Sequence, residues 1–275
     1  MAGPVEVAVQ SSESGLRPQV HAQRLRAAMG TWVAIEAAAS AEDAAQAGIE
    51  AAYLAIHQVE RQLHPRRGGS DLSRLRAASL GARVPIGAMA WEVLRLARTM
   101  YELSEGVFDP CLPSQPGRLC DLTLSEAGLA SPWASCRVPL ALDLGGIAKG
   151  YAIDRAVEAL RAAGCTSGIV NAGGDLRVYG RSASVLLREA NGNCTRLTLR
   201  DAALAVSDLA ADTARRPAEH RGYYRRSATL TPARSYAAVV AASAAIADAL
   251  TKCALLARPR CARRALRAFR ARQVR

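Results

Sequence analysis

The run from Ala141 to Gly180 constrains the fold more than any other stretch. It reads as a short apolar strand ending at Asp143, a Gly145-Gly146 bend and a helix over residues 147–163. A strand over residues 168–171 follows, then a second bend, Gly173-Gly174, with Asp175 behind it. Glycine lets bare backbone come close to a partner and tolerates left-handed torsions. A helix opened by such a bend presents unpaired N–H groups and the positive end of its dipole, which suit a phosphate. Lys149, in the first helical turn, adds a mobile positive charge. One glycine pair alone would be read as a tight turn beside a surface lysine. Two pairs, with Asp143, Lys149 and Asp175 around them and Asn171 leading into the second, point to a ligand site.

Two common phosphate signatures are excluded. A P-loop requires Gly-Lys followed by Ser or Thr, whereas Lys149 is followed by Gly150 and Tyr151. The dinucleotide fingerprint G-x-G-x-x-G is absent because the first two glycines are adjacent.

At 275 residues the chain suffices for one large domain or two closely joined ones, and half of it is apolar. The net charge of +12 is uneven: residues 258–275 hold eight arginines and no acid, and the rest is only mildly basic. No aromatic-interleaved basic face accompanies the arginines, so nucleic-acid binding is not expected. Seven cysteines, an odd number without a C-x-x-C pair, argue against a disulfide framework or zinc site and for a reducing compartment. The first residues lack a basic start and a long apolar core, and no segment approaches the ~18 apolar residues of a membrane span. A cytoplasmic location without a membrane span is expected.

Hydrophobic periodicity predicts helices over residues 42–63, 89–103 and 243–257. Alternation predicts strands over 29–36, 184–187, 196–199, 204–206 and 236–242, with Asn191-Gly192-Asn193 turning between two of them. Short strands after a helix suggest an α+β fold with mixed or antiparallel sheets and packed helices, not a doubly wound one. Residues 1–28 are expected to form a loose arm, 29–257 the main domain, and 258–275 a basic helix or tail. Residues 111–139, interrupted by Pro113, Pro116 and Pro132, read as an irregular surface segment. His57 and His64 receive no role, and Ser70 and Ser73 read as helix-capping residues.

D-L-G-G-I-A-K-G-Y-A-I-D-R followed by G-I-V-N-A-G-G-D-L-R-V-Y-G resembles the FAD:protein FMN transferase family, the ApbE-type flavin transferases. The resemblance extends to M-G-T at Met29, G-V-F-D-P around Phe108 and Asp109, and A-D-A-L-T around Asp248. It implies a T-fold-like architecture, FAD as substrate, Mg2+, and transfer of FMN to a threonine hydroxyl of an acceptor flavoprotein with release of AMP. Implied flavin-nucleotide contacts are Met29, Phe108, Asp109, Asp143, Gly145, Gly146, Lys149, Asn171, Gly173, Gly174 and Asp175. Asp248, Thr251 and the Gly146 carbonyl are implied metal ligands, with Asp248 and Lys149 as catalytic groups. Asp143 and Asp175 would repel bare phosphate, so they would bind ribityl, ribose or ring donors, or order the turns.

The sequence departs from the family pattern in three places. The position four residues after Asp248, usually Thr, is Lys252, with Thr251 one place earlier. The family's H-I-x-D-P run corresponds to Ala228-Thr229-Leu230-Thr231-Pro232, without its His and Asp, and His220 upstream has nothing to place it in the site. The T-S-G turn becomes Val206-Ser207-Asp208. Lys252 could set its ammonium where the metal's charge would sit, or be a solvated helix lysine. A FAD-binding protein or slow FAD pyrophosphatase that has lost transferase activity is therefore the alternative function. The arginine tail leaves nucleic-acid binding as a third, weaker reading.

Overall fold

The computed structural model describes residues 19–188, 194–208 and 235–274. Residues 1–18, the expected turn at 191–193, His220 and the Ala228–Pro232 run lie outside them.

The centre is a seven-stranded sheet in the order β1-β2-β6-β7-β10-β11-β12, with every neighbouring pair antiparallel. Its strands are β1 (Val20–Ala28), β2 (Thr31–Ala39), β6 (Ser167–Ala172), β7 (Asp175–Tyr179), β10 (Ala203–Asp208), β11 (Tyr236–Ala241) and β12 (Arg272–Val274). Three helices cover one face: α1 (Glu42–Leu63), α4 (Ala148–Ala162) and α5 (Ala244–Leu256). The hairpin of β8 (Ser182–Arg188) and β9 (Cys194–Arg200) covers the other, with Val185, Leu187 and Leu199 packed on Ile169, Leu176, Val178 and Leu204. The alternating side chains of each strand thus serve two cores, Val170 facing the helices and Ile169 the hairpin.

The helices form where periodicity places them. α1 buries Ala45, Ile49, Ala52, Ile56, Val59 and Leu63 along one stripe. Ser243 caps α5, accepting from the Ile246 N–H at 3.2 Å. Ser70 likewise caps α2 (Asp71–Ala77). α3 (Ala88–Leu103) turns Val93, Leu94, Ala97 and Met100 inward.

Four expectations need correction. Residues 20–28 are not a loose arm: they pair with β2 along its full length. As an edge strand with only Ala22 and Ala28 buried, β1 lacks the apolar alternation that marks a half-buried strand. Met29 does not begin a strand but sits in the β1–β2 turn at φ 53°, followed by Gly30 at φ 70°. Residues 111–139 are only in part an irregular surface segment. Within them β4 (Leu122–Leu124) and β5 (Trp133–Cys136) join β3 (Val84–Pro85) in a small sheet, and Cys111, Leu119, Leu122 and Ala134 are fully buried. The expected strand before Asp143 is a single bridge between Cys111 and Leu142.

The arginine-rich end is part of the body. α6 (Pro259–Ala268) buries Cys261, Ala262 and Ala265. Arg264 donates to the Glu102 and Leu103 carbonyls at the end of α3, and β12 then adds a strand beside β11. Four of its arginines, Arg260, Arg263, Arg264 and Arg267, lie on this docked helix.

Candidate functional site

The Gly145-Gly146 bend sits between two different environments. On one side is a cavity of about 590 Å³. Its wall includes Met29 and Gly30 from the β1–β2 turn, Val59, Glu60, Leu63 and His64 from the end of α1, and Asp143, Gly145 and Ala148 from the bend. Arg66 and Arg76 add two guanidinium groups, and Leu112 and Ser114 come from the loop after Pro110. An apolar floor with a few charged groups at the rim suits a ring system that carries phosphates. Asp143 orders the bend by accepting from the Gly145 N–H at 2.8 Å. The second bend lies against the same hairpin: the Gly173 N–H donates to the Trp32 carbonyl at 3.2 Å. A β-carbon on Gly173 would lie 2.5 Å from Thr31 Oγ1 at φ 62°, so that position excludes a side chain twice over. Asn171 Oδ1 accepts from the Gly174 N–H at 3.1 Å and closes this turn.

On the other side is a buried cluster of charges. Lys149 Nζ lies 2.7 Å from Asp175 Oδ2, and Asp175 Oδ1 accepts from the Val206 N–H at 3.0 Å. Asp248, fully buried on α5, pairs through Oδ1 with the Lys252 ammonium and accepts at Oδ2 from the Gly150 N–H at 3.2 Å. The Thr251 hydroxyl is 2.7 Å from Ser207 Oγ and 2.7 Å from the Asp248 carbonyl. Burial pushes the Asp175 carboxyl above the usual carboxylate range; Lys149 opposes that shift and the Asp248 charge adds to it. Two ammonium groups thus face two carboxylates.

The first turn of α4 is consequently less open than the sequence implies. The Ile147 and Ala148 N–H groups donate to the Leu144 carbonyl at 2.9 and 2.8 Å, and the Gly150 N–H goes to Asp248. The anion at this helix end is the Asp248 carboxylate, and Lys149 is drawn to Asp175. Asp143 orders the first bend through the Gly145 N–H, whereas Asp175 binds Lys149 and the Val206 N–H of β10.

The structure therefore divides the expected site residues. Met29, Asp143 and Gly145 share the cavity wall. Asn171, Gly173 and Gly174 form the bend against its hairpin. Lys149, Asp175, Asp248 and Thr251 belong to the charged cluster and are not in that wall. Gly146 is buried at the start of α4. Phe108 and Asp109 are 0% and 1% exposed and organise their own loop. There the Asp109 carboxylate accepts from the Cys111 N–H at 3.1 Å and pairs with Arg118 at 3.1 Å.

Sequence reasoning passed over several residues. Arg66, Arg76, Glu60 and His64 line the cavity, yet P-R-R-G-G reads only as a loop. His64 Nδ1 accepts from the Arg66 and Arg67 N–H groups at 3.1 and 3.0 Å. Asp154 holds the crossing of α4 and α5: its two oxygens accept from the Ala244 and Ala245 N–H groups, both at 2.9 Å, and it pairs with Arg177 at 2.6 Å. Lys252 is a cluster member and not a solvated helix lysine.

The donors implied for a divalent cation do not fit one as arranged. Both Asp248 oxygens and the Thr251 hydroxyl have protein partners. Among the described residues no group of three or more His, Cys, Asp or Glu side chains is placed to hold a metal ion. Nor is any helix there long and apolar enough to cross a membrane.

A seven-stranded antiparallel sheet under a helical layer is a fold that known structures share. The chain superimposes on the flavinyl transferase ApbE of Pseudomonas stutzeri, apo form, with a TM-score of 0.75 at 19% identity, covering 93% of this chain and 90% of that one. For the flavin transferase ApbE of Vibrio cholerae the TM-score is 0.74 at 17% identity, with 93% of each chain covered. For the ApbE protein of Thermotoga maritima it is 0.68 at 18% identity, over 85% and 86%. No curated protein matches by sequence. The sequence pattern of the ApbE family matches residues 29–274, and the chain belongs to that family. The match takes in α6 and β12, in keeping with their place in the fold.

Proposed function

We propose that this protein binds FAD in the cavity beside the Gly145-Gly146 bend and transfers its FMN half to a threonine hydroxyl of an acceptor flavoprotein. The observation that carries this reading is the meeting of Met29, Asp143 and Gly145, from distant parts of the chain, in one wall with Arg66 and Arg76. Membership of the ApbE family supports it. Met29, Val59, Leu63, Leu112 and Leu142 offer an apolar surface for the isoalloxazine ring. The two guanidinium groups suit the diphosphate, which they can meet with paired donors. In the transfer the threonine oxygen attacks the FMN phosphorus and gives its proton to solvent, the bond from that phosphorus to the oxygen shared with AMP breaks, and AMP leaves with that oxygen. Positioning and charge neutralisation are what a protein contributes to such a step. Mg2+ forms no part of the proposal, because the Asp248 carboxylate and Thr251 hydroxyl expected to hold it have protein partners.

One observation favours a second reading, a FAD-binding protein without transfer: the Lys252 ammonium paired with Asp248. One experiment separates the two. The protein is incubated with FAD and a threonine-containing acceptor peptide, and the peptide is weighed by mass spectrometry while FAD fluorescence reports binding. One added FMN per peptide is expected. Binding without an adduct on family-type acceptors would select the second reading, and absence of FAD binding would remove both. Arg76→Ala should weaken FAD binding roughly 10- to 100-fold, the range for one charged hydrogen bond.

A further inference from the structure

The charged cluster behind the cavity is closed by a residue of the chain itself. Lys252 stands one helical turn beyond Asp248, and the two side chains are 8% and 0% exposed. A lysine this deeply buried is held there by its partner, since an unpaired ammonium would be expelled or neutralised. Among the described residues, the side-chain oxygens of Asp248 and Thr251 that a cation would use already have partners. Asp248 Oδ1 has the ammonium, Asp248 Oδ2 the Gly150 N–H, and the Thr251 hydroxyl has Ser207 and the Asp248 carbonyl. Among the described residues the cluster's charges also balance, Lys149 against Asp175 and Lys252 against Asp248. A hard dication would need about six oxygen ligands. Here it would meet two ammonium groups in a dry interior.

We infer that Lys252 is an internal cation that takes the place of a divalent metal at Asp248, so that this protein holds its flavin nucleotide without one. The inference deepens the function proposed above, on which its FAD arm rests; its metal arm contains no flavin. It also predicts what the chain lacks: with the ammonium removed, the buried Asp248 carboxylate should recruit a metal.

The metal arm titrates Mn2+ into the purified protein, reading free Mn2+ by electron paramagnetic resonance and the melting temperature in parallel. The wild type should show no saturable site and no shift in melting temperature. Lys252→Thr should bind one Mn2+ roughly 100-fold or more tightly than the wild type, the scale set by an unpaired buried carboxylate. Its melting temperature should rise with the logarithm of the Mn2+ concentration. Asp248→Ala in the Lys252→Thr background should abolish both effects. A saturable Mn2+ site in the wild type that Asp248→Ala removes would overturn the inference, and so would Lys252→Thr binding Mn2+ no better than the wild type. If Lys252→Thr does not fold without metal, the wild-type titration decides. In the FAD arm, wild-type affinity should be the same in chelator and in Mg2+; a loss of tenfold or more in chelator would also overturn it. Failure to bind FAD in either buffer would remove the proposed function and leave the metal arm to decide this one.

Discussion

Replacing Gly150 by alanine tests how α4 and α5 bring the charged cluster together. A β-carbon at Gly150 would lie 2.2 Å from the Ala244 carbonyl oxygen, 2.4 Å from its carbon and 2.7 Å from the Ala245 nitrogen. All three are backbone atoms, so no side-chain rotation relieves the clash. The helices must separate by about 1 Å to restore ordinary van der Waals contact. Separation would stretch the hydrogen bonds that the Ala244 and Ala245 N–H groups donate to Asp154 and that the Gly150 N–H donates to Asp248. Overpacking typically costs about 1–3 kcal/mol, and each weakened buried hydrogen bond about 1 kcal/mol more. The better helix propensity of alanine returns about 1 kcal/mol. The net expectation is a loss of about 4 kcal/mol. For a chain of this size that lowers the melting temperature by roughly 8–16 °C. Differential scanning calorimetry, with urea denaturation alongside, measures it. Gly68→Ala is the control, because a β-carbon there meets nothing within 4 Å. A melting temperature for Gly150→Ala that matches this control would refute the close crossing of α4 and α5, and with it the geometry of the cluster.

Three further outcomes follow from the same structure. Asp154→Ala should cost about 3–5 kcal/mol in urea denaturation, because Arg177 and two α5 N–H groups lose their partner; Asp154→Asn, which keeps one acceptor, should cost less. In native protein only the exposed Cys120 and Cys194 thiols should react rapidly with Ellman's reagent, and all seven should react in urea. Burial pushes the Cys136 thiol up to about 11 and that of Cys253 to about 12, from 9.0 in the unfolded chain. Folded protein then binds more protons than unfolded protein above pH 9.0. Their contribution is fully present below that pH and is lost as the pH climbs through about 11. Denaturation midpoints measured from pH 8 to pH 11 should fall steadily, by up to about 3 kcal/mol for each such thiol. A flat profile would contradict that burial.

Local chemistry in the sequence determined much of this protein. The apolar stripe of α1, the Ser243 cap of α5 and the two glycine pairs are short-range signals that hold wherever the segment ends up. They sufficed for the α+β class, the helix positions and the two bends. The same signals missed β1, since an exposed edge strand needs no apolar alternation, and β4 and β5, since β5 pairs with β3 across dozens of residues and β4 is a three-residue strand added to β5. The arginine-rich end looked like a tail because its charge is local information, while its docking depends on Cys261, Ala262 and Ala265 finding α3 and α5.

Tertiary structure alone decided the electrostatics. The spacing of Asp248 and Lys252 puts them on one helical face in any context, but it does not say whether water surrounds them. Packing of α5 against α4 and β10 removes the water, brings Asp175 and Lys149 alongside, and turns an ordinary i, i+4 pair into a closed cluster of charge. A carboxylate's partner is set by whatever else is buried with it, and that depends on residues far away in the chain.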